Sequence, residues 1–196
     1  MAPALSVKVN GEHLVTVAAD GLDMIDVQVH GDVIDDYFAS LHVSGGYHGD
    51  NSEHTYLIWA ERQLEPGAEI EVAFLESAVS SQPGKTIDEL YPEDEVPRGP
   101  LPTSEMIFEQ LTARPKIRER FHFDLELPGS PKISAMTSAE DHSFAFSVSW
   151  TAFHPERARV SLHSTTLANI RSNTNGTYHA ESRIGVNQGV KVRVDA

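Results

Sequence analysis

Apolar and polar residues alternate along most of the chain, as they do in β-strands that bury one face. In the first third, the alternation predicts strands near residues 5–9, 13–17, 25–29, 37–43, 56–60 and 70–74. The dipeptide Asn10-Gly11 between the first two is typical of a two-residue hairpin turn. Because acidic residues occupy several of the alternating polar positions, we expect antiparallel sheets with one face in solvent.

Residues 77–120 break the alternation and are rich in Pro, Ser and acidic residues. Thr86 and Glu89 have the spacing of a capping box, which predicts a short helix that ends near Leu90. A second short helix is predicted for residues 104–113. We interpret this segment as a connector, because strand-like alternation resumes directly after it.

The two ends of the chain resemble each other at an offset of 121–122 residues. At this offset residues 40–42 (Ser-Leu-His) align with residues 161–163 (Ser-Leu-His), and Gly67 aligns with Gly189. The matches keep their order along the chain, which favours a tandem duplication. The alternative is two unrelated β segments with similar alternation.

The predicted fold class is therefore all-β, with two tandem, related antiparallel β-sandwich or barrel-like units and a Pro-rich, partly helical connector. The predicted boundaries are an acidic unit at 1–76, a connector at 77–120 and a second unit at 121–196. The pattern leaves open whether the units form separate lobes or combine their sheets into one sandwich.

Charge distinguishes the two units. The chain has 196 residues and a net charge of −14. Residues 12–76 contain fourteen acidic residues and one arginine, whereas residues 121–196 contain seven of each sign. Such an asymmetry concerns partners rather than fold. It indicates either a solubilising surface or a face that docks a basic partner.

The docking interpretation rests on acidic residues that alternation or turn chemistry is expected to expose. Tyr47 accompanies them because it follows two glycines and is expected at a loop tip. The candidate partner-binding residues are Asp26, Asp32, Asp35, Asp36, Asp50, Glu71 and Tyr47.

A cluster of His and Asp residues in the same unit offers an alternative. The tripeptide His-Gly-Asp occurs at 30–32 and again at 48–50, and these side chains suit zinc or another divalent ion. The candidate metal ligands are His30, Asp32, His48, Asp50 and His54. The spacing matches no established ligand pattern, and Gly-Asp is equally typical of turns at strand ends.

The sequence contains no strong catalytic motif. It has no cysteine and no Gly-x-Ser-x-Gly elbow, and Gly84-Lys85-Thr86 lacks the first glycine of a phosphate-binding loop. A triad assembled from distant Ser, His and Asp residues stays open, because triads are defined in space. No catalytic residue or resident cofactor is therefore predicted.

The leading hypothesis is a non-catalytic binding protein whose acidic unit docks a basic protein, for example an immunity or inhibitor protein. One alternative is a metal-dependent hydrolase that uses the His/Asp cluster. Another is a structural module that assembles through sheet edges, for example as a homo-oligomer. The negative charge argues against nucleic acid and anionic membranes as partners. Without an apolar run or signal-like start, we expect a cytoplasmic protein.

Overall fold

A computed structural model describes residues 2–48, 54–92 and 102–196 and shows an all-β protein. The first half contains the strands β1 (Ala4–Val9), β2 (Glu12–Ala18), β3 (Met24–Asp32), β4 (Ala39–His48), β5 (His54–Leu64) and β6 (Ala68–Leu75). Two helices follow, α1 (Ile87–Leu90) and α2 (Ser104–Ala113). The second half contains β7 (His122–Glu126), β8 (Ile133–Met136), β9 (Asp141–Thr151), β10 (Arg157–Thr166), α3 (Leu167–Ser172), β11 (Thr177–Gly185) and β12 (Gln188–Asp195).

The strands form two six-stranded antiparallel sheets that share one core. Sheet A has the order β2-β1-β6-β12-β7-β8, and sheet B has the order β11-β10-β9-β3-β4-β5. One hydrophobic cluster joins buried residues of both sheets, including Val72 from sheet A and Val27 from sheet B. The two halves therefore combine into one sandwich, which settles the alternative that the sequence left open.

The strand order confirms that the two halves are related. Adding six to each strand number converts β2-β1-β6 into β8-β7-β12 and β3-β4-β5 into β9-β10-β11. The halves meet where β6 pairs with β12 and where β3 pairs with β9, both antiparallel. This is the arrangement of two copies related by a two-fold rotation.

Matched backbone hydrogen bonds give the residue correspondence. Gly67 N donates to Val194 O at 2.8 Å, and Asn187 N donates to Phe74 O at 2.7 Å. These two bonds exchange under a two-fold rotation if Gly67 corresponds to Asn187 and Phe74 to Val194. Both residues at the turn have positive φ, which glycine and asparagine tolerate best. Gly67 therefore corresponds to Asn187 and not to Gly189.

Sheet B shows the same shift from the offset predicted by sequence. A bulge in the β4–β5 pairing lies between Val43 and Ser44, and one in the β10–β11 pairing lies between Leu162 and His163. The bulges match Val43, rather than Leu41, with Leu162. The shift is two residues, which keeps every side chain on the same face, so alternation alone could not detect it.

The connector contains both predicted helices. The side chain of Thr86 accepts a hydrogen bond from Glu89 N and so caps α1, and Thr103 caps α2 in the same way. Before α1, Ser81 N donates to Thr16 O at 2.9 Å, and Lys85 exchanges two backbone hydrogen bonds with Ile58. The connector therefore covers the edge strands β2 and β5, which protects them from pairing with another chain.

The edges of the second half differ from those of the first. In the described residues, β8 and β11 each pair with a strand on one side only. The predicted assembly through sheet edges has β8 and β11 available, since the connector contacts β2 at Thr16 and β5 at Ile58. That oligomeric state stays a prediction.

Candidate functional site

Three connections of the first half meet at one end of the sandwich. They are the β1–β2 turn, the β3–β4 loop and the β5–β6 turn, because successive antiparallel strands return to the same end. Glu12, Asp36 and Glu65 are exposed there, and no described residue forms an ion pair or side-chain hydrogen bond with them. We call this region, with exposed Tyr37, the acidic end.

Two other predicted docking residues, one at the end of β3 and one in the β3–β4 loop, hold the loop in place. Asp32 accepts a hydrogen bond from Ile34 N at 2.9 Å, and its other oxygen lies 2.9 Å from Nε2 of the buried His142. That contact with His142 is short but lacks the alignment of a hydrogen bond. Asp35 lies 3.4 Å from Arg114 and accepts a hydrogen bond from Tyr37, which raises the pKa of that phenol. Neither carboxylate is free at the surface.

Asp26 and Glu71 lie on the outer faces of opposite sheets, Asp26 near the start of β3 and Glu71 opposite Lys8 of β1. Ser149 donates a 2.6 Å hydrogen bond to Asp26, and burial raises the pKa of that carboxyl. Glu71 forms a 3.0 Å ion pair with Lys8 on sheet A. Each of these two carboxylates therefore has a partner within the protein.

The remaining docking candidates are Asp50 and Tyr47. Asp50 lies outside the described residues. Tyr47 lies in strand β4 rather than at a loop tip, and its side chain is 41% exposed. Its two preceding glycines also belong to the strand. Glycine is needed at position 45 because a Cβ there would fall 2.4 Å from the carbonyl oxygen of Met24.

The predicted metal ligands have other contacts where the structure describes them. His30 lies 3.0 Å from the Ser40 hydroxyl and 5.8 Å, between ring centroids, from His42. Asp32 contacts His142, as described above, and His54 is exposed at the start of β5. Asp50 and the side chain of His48 lie outside the described part. Within that part, no three His, Cys, Asp or Glu side chains are placed to hold a metal ion.

A buried polar cluster in the second half resembles a catalytic triad in composition only. Ser164 donates to Asp141 Oδ2 at 2.9 Å and lies 2.9 Å from His179 Nε2. The serine is fully buried and stands between the carboxylate and the imidazole, whereas a triad places the imidazole in the middle. This cluster therefore joins β9, β10 and β11 and offers no accessible nucleophile.

The outer face of β9–β11 forms a groove that the sequence analysis missed, which we call the basic groove. It encloses about 450 Å³. Its lining combines cationic side chains with hydroxyls: Ser147, Ser149, Thr151, His154, Arg157, Arg159, Ser161, His163, Tyr178 and Arg183. The net charge of the second half is zero, so the charge count gave no indication of a basic surface there. The alternation in β10, which puts Arg157, Arg159 and His163 on one face, was the available signal.

Two histidines near this groove link stability to pH. Burial, the nearby His179 and the nearby Arg159 lower the pKa of His163, and burial lowers the pKa of His179. A histidine with a lowered folded-state pKa binds its proton more readily in the unfolded chain. Its stabilising contribution is therefore complete above the ordinary value of 6.5 and is lost as pH falls toward the folded-state pKa.

We expect the free energy of unfolding to fall less steeply between pH 7 and pH 5 in a His163→Gln variant than in the wild type. Denaturant titrations of both proteins across that range measure the difference. Changes in general charge repulsion cancel because both proteins share them. Equal slopes for the two proteins would contradict the assignment to His163.

In the described residues, no helix is long and apolar enough to cross a membrane.

Comparison of this chain with known proteins identifies no relative. No family model, curated protein or solved structure matches this chain.

Proposed function

We propose that this is a non-catalytic binding protein that docks a basic protein partner through its acidic end. The observation that carries the proposal is that Glu12, Asp36 and Glu65, from three separate connections, are exposed without a cationic partner among the described residues. Loops at one end of a sandwich are where such proteins commonly place binding residues, because the sheets hold them rigidly.

The contrast with the rest of the first half supports this choice of surface. On sheet A, Glu71 pairs with Lys8 and Glu69 pairs with Lys191, each at 3.0 Å. Such ion pairs cancel charge within the protein. Glu12, Asp36 and Glu65 form no ion pair with a described residue, so their charge adds to the field that a basic partner meets.

Tyr37 adds an anchor to the acidic end. Its side chain is 38% exposed, and its hydrogen bond to Asp35 orients the ring. Exposed tyrosines beside charged residues are common at the centres of protein interfaces. An immunity or inhibitor protein that neutralises a basic toxin or enzyme is one concrete form of this function.

The test compares two triple variants with equal charge change. The first is Glu12→Gln/Asp36→Asn/Glu65→Gln, and the control, Asp88→Asn/Glu109→Gln/Glu126→Gln, removes three exposed acids elsewhere. Immobilised wild-type protein captures partners from a lysate of the source cells at low salt, and a captured basic protein is purified. Its association rate is then measured with all three proteins.

We expect association to be about tenfold slower for the acidic-end variant and nearly unchanged for the control. The acidic-end variant should also show a flatter salt dependence, because salt screens exposed charges beyond about 8 Å. Equal rates for the two variants, or capture only of partners that bind independently of salt, would contradict the proposal.

A further inference from the structure

The basic groove carries three arginines on adjacent strands. Arg157 and Arg159 lie two residues apart on one face of β10, and Arg183 lies directly opposite Arg159 on β11. Like charges directly opposite each other in a sheet destabilise it. An anion bound between the two guanidinium groups would remove that repulsion, which makes the pair suited to a negatively charged ligand.

The arginines are weakly neutralised by the protein itself. Arg159 lies 3.3 Å from Glu181, but more than half of each side chain is exposed, so an incoming anion can replace that pair at little cost. Arg157 lies 3.6 Å from the neighbouring Glu156. No carboxylate in the described residues forms an ion pair with Arg183.

Hydroxyl groups lie beside the charges, and one of them, Ser149, already donates a 2.6 Å hydrogen bond to the Asp26 carboxylate. Ser147, Ser149 and Thr151 alternate along β9 beside the arginines, and Ser161 adds a fourth hydroxyl from β10. At the other end of the groove, the ring of Tyr178 lies 5.5 Å from that of His163. The Nδ1 atom of His163 is buried and has no hydrogen-bond partner among the described residues.

The size and setting of the groove favour a small ligand over a polyanion. A volume of about 450 Å³ is in the range of small-molecule sites. The net charge of −14 would repel a nucleic acid or another long polyanion, whereas three local arginines suffice for one or two oxyanion groups. A row of hydroxyls with an exposed aromatic ring matches the polar edges and apolar faces of a sugar.

We propose that the basic groove binds a phosphorylated or sulfated sugar. Arg159 and Arg183 hold the tetrahedral oxyanion with paired hydrogen bonds, and Arg157 adds positive charge. The serine and threonine hydroxyls of β9 and β10 hydrogen-bond to the sugar hydroxyls, and Tyr178 packs against the ring. This site lies in the second half and is independent of docking at the acidic end.

The test titrates the protein with four probes: glucose 6-phosphate, glucose 6-sulfate, glucose and inorganic phosphate. Proton–nitrogen correlation NMR spectra follow the chemical shifts of the backbone amides of β10 and β11 and of the arginine side chains. The variant is Arg159→Gln/Arg183→Gln. The control, Arg62→Gln/Arg193→Gln, removes the same charge from two exposed arginines outside the groove.

We expect both sugar esters to cause saturable chemical-shift changes confined to the groove. Glucose and inorganic phosphate should bind at least about tenfold more weakly than the esters. The groove variant should lose about tenfold or more in affinity for the esters, and the control should keep it. The proposal is overturned if neither ester saturates, if inorganic phosphate or glucose binds as tightly as the esters, or if both variants behave alike.

Discussion

Replacing Phe144 with alanine is expected to lower the free energy of unfolding by about 3–5 kcal/mol. Phe144 is 2% exposed and belongs to β9 of sheet B. Its ring centroid lies 4.6 Å from that of Phe121 and 4.9 Å from that of Phe123 in sheet A. The substitution removes buried apolar area, breaks the aromatic contacts between the sheets and leaves a cavity that the rigid strands cannot fill.

Phe153→Ala is the matched control, because it removes the same atoms from a side chain that is 89% exposed in the β9–β10 turn. Its effect should stay within about 0.5 kcal/mol. Chemical denaturation of both variants and the wild type measures the difference. A Phe144→Ala protein as stable as the control would show that the second half packs less tightly than described.

Most of the fold could be predicted from local signals. Alternation indicated the strands because each strand buries one face, as in β6, where Ile70, Val72 and Phe74 are fully buried. The capping box at Thr86 and Glu89 located α1 because its side-chain hydrogen bonds form within four residues. The duplication was visible for the same reason, since related strands keep the same alternation.

Long-range pairing could not be predicted in this way. The pairing of β3 with β9 brings Val27 opposite Val148, residues from different halves, and no local pattern specifies that contact. The residue correspondence was wrong by two positions because a two-residue slip leaves alternation intact. Only backbone contacts such as Gly67 N to Val194 O distinguish the two registers.

The candidate site shows the same limit. Sequence identified acidic residues but could not tell a free carboxylate from a paired one. Asp36 is exposed, whereas Asp32, four positions earlier, contacts His142 from β9. The basic groove was missed because the second half contains as many acidic as basic residues, and only the pairing of β10 with β11 brings Arg183 opposite Arg159.

Asp32→Ala is expected to lower the free energy of unfolding by about 1–3 kcal/mol. The Asp32 side chain is 21% exposed, and that of His142 is 4% exposed. One oxygen of Asp32 accepts a hydrogen bond from Ile34 N, and the other lies 2.9 Å from the His142 ring. Removing the carboxylate leaves the Ile34 N–H without its acceptor and takes away the carboxylate oxygen that lies 2.9 Å from the buried imidazole. Since β3 pairs with β9 here, the loss weakens a junction between the two halves.

Asp36→Ala, in the same loop, is the matched control, because its exposed carboxylate has no partner among the described residues. We expect its stability to stay within about 0.5 kcal/mol of the wild type. The proposed docking should show the opposite order: Asp36→Ala should slow association with a basic partner although the fold is intact. If instead Asp32→Ala left stability unchanged, Asp32 would be a free surface charge and would belong with the docking residues after all.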